Sequence, residues 1–228
     1  MNPKPRPVFA PSLMCMDLAH VAEQLALLEG RATLLHVDIM DGHFVRNLSL
    51  SPDFIRQIRS HTRASIDAHV MVTDPGFIVD ELLTSGADCI SLHAETLNGE
   101  AFRQISKIQR AGRQVGVVLN PETSLDAVEP YLGRLDKVTV MTVAPGFAGE
   151  EFIPEMLPKI RSLVERRGGL GARYLVEVDG QCNAGTYRVL SQTGADILIV
   201  GTSGLFALDA DLGVAWDRML AQYDAAVA

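Results

Sequence analysis

Two short segments each carry an imidazole two residues away from a carboxylate or a methionine. One reads Leu34-Leu35-His36-Val37-Asp38-Ile39-Met40-Asp41-Gly42 and the other Asp67-Ala68-His69-Val70-Met71. Alternate residues of a strand share a face, so His36, Asp38 and Met40 fall on one side of the first segment, and His69 and Met71 on one side of the second. A third segment ends Glu177-Val178-Asp179-Gly180. If the three faces converge, His36, Asp38, His69 and Asp179 form a mixed nitrogen and oxygen site suited to one divalent ion, Zn²⁺, Fe²⁺, Co²⁺ or Mn²⁺. The alternative is a set of inward polar side chains that satisfy one another by hydrogen bonds, which is the reading for Asp67 and Glu177. Spacing leaves both open.

Met40, Met71 and Met141 each lie near the end of an apolar run. Thioether side chains fill irregular cores, and the sharper reading is an apolar lid over a reacting centre. Three turns are rich in glycine: Pro145-Gly146-Phe147-Ala148-Gly149, Gly180-Gln181 and Gly201-Thr202-Ser203-Gly204. Backbone amides in such turns can hold a phosphate without any basic patch. The only lysines are Lys4, Lys107, Lys137 and Lys159, and none is expected at the C-terminal end of a strand. A Schiff-base aldolase or a lysine-dependent decarboxylase is therefore disfavoured. Neither a GxSxG nor a Walker sequence occurs. Cys15 and Cys182 lack a paired histidine signature and read as small packing residues.

These residues need elements to position them. Eight β-rich apolar runs recur along the chain: Val8–Ala10, Leu34–Met40, Ser65–Val72, Cys89–His93, Val115–Leu119, Val138–Val143, Leu175–Asp179 and Ile197–Val200. Stretches with helical apolar spacing lie between them, among them Phe54/Ile55/Ile58, Phe102/Ile105/Ile108 and Ile160/Leu163/Val164. Gly86-Ala87-Asp88 and Gly194-Ala195-Asp196 form a weak internal repeat at the joint between helix and strand. Continuous apolar strands imply burial on both faces. Eight strands alternating with eight helices predict a (β/α)8 barrel, with an open doubly wound sheet as the alternative. The barrel would collect its chemistry at the C-terminal ends of its strands.

The chain has 228 residues, 47% hydrophobic and 21% charged, enough for a sizeable core in one domain spanning residues 1–228. A net charge of −8 argues against nucleic-acid binding and against a basic membrane-surface patch. No apolar run is long enough to span a bilayer, and no apolar stretch follows the Pro-rich N-terminal segment as a secretory signal requires. Three unpaired cysteines point to a reducing compartment, so a cytoplasmic location is expected.

Taken together, the motifs resemble the ribulose-phosphate 3-epimerase family. They are Ala10-Pro11-Ser12-Leu13, residues 36–45, Ala68-His69-Val70-Met71-Val72, Leu119-Asn120-Pro121, residues 141–149, Glu177–Gly180 and Val200–Ser203, in order along nearly the whole chain. Met14-Cys15-Met16-Asp17, Glu95–Gly99 and Gly201–Phe206 look most similar to the family's D-allulose-6-phosphate 3-epimerase branch. Two departures stand out: Arg46 where the family has Pro, and Gln181 after the Asp-Gly of the seventh strand.

The resemblance implies His36, Asp38, His69 and Asp179 as metal ligands and Asp38 and Asp179 also as the acid–base pair. It implies Ser12, His69, Gly146, Phe147, Ala148, Gly149, Asp179, Gly180, Gln181, Gly201, Thr202 and Ser203 as contacts to substrate or its phosphate. Met40, Met71 and Met141 would cap an enediolate stabilised by the metal. The implied reaction is 3-epimerisation of D-allulose 6-phosphate to D-fructose 6-phosphate, or alternatively of D-ribulose 5-phosphate to D-xylulose 5-phosphate. A sugar phosphate is the expected small-molecule partner, and a homo-oligomer is expected. A non-catalytic barrel that binds sugar phosphates is the competing class, although phosphate binding alone needs neither aspartates nor histidines.

Overall fold

The computed structural model describes residues 6–170 and 172–228, so the N-terminal residues 1–5, Lys4 among them, lie outside the described residues. Eight parallel strands appear close to where the apolar runs predict them. They are β1 (Val8–Pro11), β2 (Leu34–Met40), β3 (Ser65–Met71), β4 (Cys89–His93), β5 (Gln114–Leu119), β6 (Lys137–Met141), β7 (Leu175–Asp179) and β8 (Ile197–Val200). Each is hydrogen-bonded to its neighbour in the order β1-β8-β7-β6-β5-β4-β3-β2. A parallel bridge between Ser12 and His36 brings β1 to β2 and closes the ring. The open-sheet alternative is thereby excluded.

The α-helices are α1 (Val21–Leu28), α2 (Pro52–Ile58), α3 (Pro75–Leu83), α4 (Ala101–Arg110), α5 (Met156–Leu170), α6 (Tyr187–Ser191) and α7 (Leu212–Val227). Their starts are chemically marked. Ser51 accepts from the Phe54 amide ahead of Pro52, Asp74 accepts from the Gly76 amide ahead of Pro75, and Asp211 accepts from the Gly213 and Val214 amides. The expectation of eight helices fails between β5 and β6, where two short 3₁₀ turns, Leu125–Ala127 and Glu129–Arg134, replace the helix. Pro130 and Gly133 both oppose a longer α-helix there. Phe102, expected on the inner face of α4, is half-exposed and packs on Tyr131 and Arg134 instead. Among the described residues no helix is long and apolar enough to cross a membrane.

The Gly-Ala-Asp repeat has a structural job. Asp88, just before β4, accepts from the Ile66 amide at 2.9 Å, and Asp196, just before β8, accepts from the Val176 amide at 2.8 Å. Each aspartate pins the register of two neighbouring strands at the bottom of the barrel. Register then fixes what meets inside: His36 lies beside Asp67, Asp38 beside His69, Met40 beside Met71, and Met141 beside Asp179. Odd-numbered β2 residues such as Val37 and Ile39 point outward into the apolar layer under the helices. The even ones point inward, into a barrel interior that is unusually polar.

Candidate active site

At the top of the interior, four side chains from three strands converge. His36 Nε2 lies 3.2 Å from His69 Nδ1, 3.4 Å from Asp38 Oδ1 and 3.8 Å from Asp179 Oδ2. His69 Nδ1 lies 3.4 Å from Asp38 Oδ1 and 3.5 Å from Asp179 Oδ2. One ligand atom from each residue lies within 4.8 Å of the other three. A tetrahedral ion with bonds near 2.0–2.1 Å holds its ligands about 3.3–3.4 Å apart, so the donor set already has the spacing of a divalent metal centre.

The remaining ring nitrogens decide which way each imidazole presents its lone pair. Asp67 Oδ2 sits 3.1 Å from His36 Nδ1. A carboxylate only accepts, so Nδ1–H donates and Nε2 turns its lone pair to the cluster. On the other side His69 Nε2 is 2.9 Å from His93 Nε2, and His93 Nδ1 is 3.1 Å from Glu95 Oε2. Burial pushes His93 down to about 4, so it stays neutral near pH 7. Burial would raise Glu95, but hydrogen bonds from His93, Thr123 and the Asn120 amide hold it at about 2. Ionised Glu95 therefore takes the His93 Nδ1–H, His93 Nε2 accepts from His69 Nε2–H, and His69 Nδ1 faces the two aspartates. This Glu95–His93–His69 relay was not foreseen. The spacing of two between His93 and Glu95 at a strand end was its only trace in the sequence.

Without a cation the cluster draws protons. Burial disfavours the charged imidazolium, yet the adjoining carboxylates outweigh it and raise both His36 and His69. Burial likewise opposes ionisation of Asp38, but His36 and His69 hold it well below the usual carboxylate range. Ser12 fixes the other oxygen of Asp38, its Oγ donating to Oδ2 at 2.6 Å.

One layer lower, His36, Asp67 and Glu177 are also close enough to share an ion. That place is taken. Lys137 donates to Asp67 Oδ2 and, at 2.5 Å, to Glu177 Oε1. Ser91 and Thr139 add hydrogen bonds of 2.7 Å each. Burial would neutralise Lys137, but the two carboxylates prevail and keep it protonated. Gly116 makes room for it, since a Cβ there would lie 2.3 Å from Ser91 Oγ and 3.2 Å from Lys137 Cε. Asp67 and Glu177 are thus the structural polar residues the sequence suggests, with Lys137 as their counter-ion.

Above the upper cluster opens a cavity of about 230 Å³. Asp38 and Asp179 reach it, Met40, Met71 and Met141 wall it, and Ser12 lies at its edge. Its rim is made by Gly146, Phe147, Ala148 and Gly149 after β6, Gly180 and Gln181 after β7, and Gly201, Thr202 and Ser203 after β8. The cavity thus brings together the expected contact residues with one exception. His69 is fully buried beneath the floor, with Nε2 taken by His93 and Nδ1 turned to the two aspartates. Met14 and Val143 also line the cavity and were not anticipated, and Cys15 and Cys182, read from the sequence as packing residues, line it too. His43, although just past β2, is exposed and bonded to Asp41.

The glycines of the rim serve a close approach. Gly146 has φ 116°, and a Cβ on it would meet Val45 Cβ at 2.9 Å. After β8 the backbone makes one wide turn over Thr202–Phe206, closed by the Phe206 amide on the Gly201 carbonyl and the Ala207 amide on the Thr202 carbonyl. The first amides of such a turn have no acceptor within it, which suits an anion.

A closed ring of parallel strands, with a cavity at its C-terminal ends that two aspartates reach and three methionines wall, has the layout of a barrel enzyme. KGPDC from Streptococcus mutans, solved in complex with D-R5P, has this fold with a TM-score of 0.73 at 15% identity, covering 97% of this chain and 99% of that one. A 3-hexulose-6-phosphate synthase from Salmonella typhimurium gives 0.65 at 17%, covering 96% and 99%. These likenesses speak to fold alone. Sequence goes further: residues 8–206 match the Ribulose-phosphate 3 epimerase family, and the chain belongs to it. Ribulose-phosphate 3-epimerases of Aquifex aeolicus and Synechocystis sp. are 37% and 38% identical over 87% and 86% of the chain, and over 89% and 86% of their own lengths. The protein is therefore an isomerase, a ketose-phosphate 3-epimerase of this family.

Proposed function

We propose that the protein interconverts D-ribulose 5-phosphate and D-xylulose 5-phosphate. The names of its relatives support the five-carbon sugar over D-allulose 6-phosphate, which residues 14–17, 95–99 and 201–206 suggest by branch resemblance. The observation that carries the chemistry is the pairing of Asp38 and Asp179. Both carboxylates face one cavity, from strands separated in the ring by β1 and β8.

Epimerisation at C3 removes a proton next to the C2 carbonyl and returns one to the other face. Asp38 and Asp179 take these two roles and exchange them in the reverse direction. His36, Asp38, His69 and Asp179 would hold one divalent ion, whose Lewis acidity favours negative charge developing on the C2 oxygen. Met40, Met71 and Met141 keep water from the reacting carbon. Amides of Gly146–Gly149, Gly180–Gln181 and Gly201–Ser203 hold the phosphate. The test is turnover of D-ribulose 5-phosphate and D-allulose 6-phosphate under one metal condition. A higher kcat/KM for the five-carbon sugar is expected. A higher value for the six-carbon sugar would restore the branch reading, and binding without turnover of either would favour the non-catalytic barrel.

A further inference from the structure

Gln181 departs from ordinary backbone geometry. It has φ 49°, directly after Gly180 at φ 118°, and shares the left-handed region with only one other non-glycine among the described residues, Asn98. An L-residue seldom adopts this conformation, and glycine adopts it freely. What glycine would lack is the side chain. Gln181 Nε2 donates to the Glu150 carbonyl at 2.7 Å, and Oε1 accepts from Asn183 Nδ2 at 2.7 Å. The same Asn183 Nδ2 donates to Ser203 Oγ at 3.0 Å. Thr186 Oγ1 donates to the Gln181 carbonyl and holds the turn from below.

One residue of the β7 loop thus reaches back to the end of the β6 loop and, through Asn183, forward to the turn after β8. Glu150, Gln181 and Ser203 all line the cavity. The far end of the β6 loop is pinned separately, by Asn47 Nδ2 donating to the Gly146 carbonyl at 2.7 Å and by Val45 packed against Gly146. Removing the Gln181 clamp would release only the Glu150 end of that loop.

We propose that Gln181 is a positioning residue that fixes the spacing of the three loops around the phosphate and so sets the length of ketose phosphate the site accepts. The proposal rests on the sugar-phosphate reading above. Sugars that share the reacting end and differ by one CHOH unit place their phosphates about 1.5 Å apart along the cavity. A misplacement near 1 Å costs on the order of a hundredfold in rate, so the loop spacing can decide between them. The clamp also explains why the chain keeps a strained side chain where glycine fits: the strain is offset by three loops held in register.

The test uses Gln181→Gly, which suits the backbone, and Gln181→Asn, which tolerates the same φ but is one methylene too short to reach Glu150. Calorimetric titration of each protein with inorganic phosphate reads whether the three loops still hold the anion together. Steady-state kinetics with D-ribulose 5-phosphate and D-allulose 6-phosphate read the discrimination. Phosphate binding is expected to weaken about tenfold in both variants, and the ratio of kcat/KM between the two sugars to fall by a similar factor, chiefly through KM, with unchanged melting temperature. Unchanged phosphate affinity, or equal loss on both sugars, would overturn the proposal. If the wild-type protein turns over neither sugar, the substrate reading fails, and the phosphate titration still decides the clamp.

Discussion

Two pairs of carboxylates lie one above the other inside this barrel, three of them buried and Asp179 partly open to the cavity, and they are neutralised in different ways. The lower pair, Asp67 and Glu177, has a cation supplied by the chain itself, Lys137. The upper pair, Asp38 and Asp179, faces two imidazoles and an open cavity, with no lysine or arginine in contact among the described residues. His36 touches both layers, through Nδ1 below and Nε2 above. Buried charge is costly unless compensated, so each pair demands a positive partner. A covalently tethered ammonium makes a permanent strut. A site left for protons or a metal ion keeps its charge exchangeable, which is what proton transfer requires.

The sharpest way to break this contrast is to neutralise an upper carboxylate. Asp38→Asn and Asp179→Asn should each lower kcat by about 10²- to 10⁴-fold, the range for loss of a general acid or base. Turnover and bound metal should be measured on the same samples. A variant with full metal and near wild-type turnover would remove that residue from the proton-transfer pair.

In the lower layer the effect should fall on stability instead. Lys137→Met leaves Asp67 and Glu177 uncompensated and should cost about 3–5 kcal/mol, read from urea unfolding monitored by circular dichroism. If Lys137→Met is as stable as the wild type, the lower layer is not a charge-balanced strut.

A smaller effect sharpens the boundary between the layers. Glu95→Gln removes the ionised acceptor that orients His93 and, through it, His69. Metal affinity should weaken by about 10- to 100-fold, as for other groups that orient a metal-binding histidine, with the fold intact. Competition with a fluorescent chelator measures this. An unchanged affinity would make the relay a packing feature only.

How much of this was readable from the residues follows the same division. The strands were readable because both faces are buried, which leaves long runs such as Leu34–Met40 with no room for ordinary polar residues. His36, Asp38 and His69 stood out as exceptions to those runs. The cavity rim was readable in outline, since glycine-rich turns follow β6, β7 and β8, and the glycines of the first two, Gly146, Gly149 and Gly180, do take positive φ. The missing helix after β5 was not foreseen, because alternation predicts a helix and only Pro130 and Gly133 argue against one. Contacts made across the ring were invisible in sequence. Lys137 reaches Asp67 through the gap at Gly116, and His93 meets His69 from the next strand. Such pairings depend on the register and closure of the barrel, which no local spacing encodes. Gln181 was visible as a departure, but its reach to Glu150 needed the folded loops.

The central claim is that the upper pair moves the C3 proton of a ketose phosphate. Its most direct test incubates the metal-loaded protein with D-ribulose 5-phosphate in deuterium oxide and follows C3 by nuclear magnetic resonance. The account predicts appearance of D-xylulose 5-phosphate with solvent deuterium at C3, and loss of that signal in Asp38→Asn and Asp179→Asn. Binding of the sugar phosphate with no exchange at C3 would contradict it.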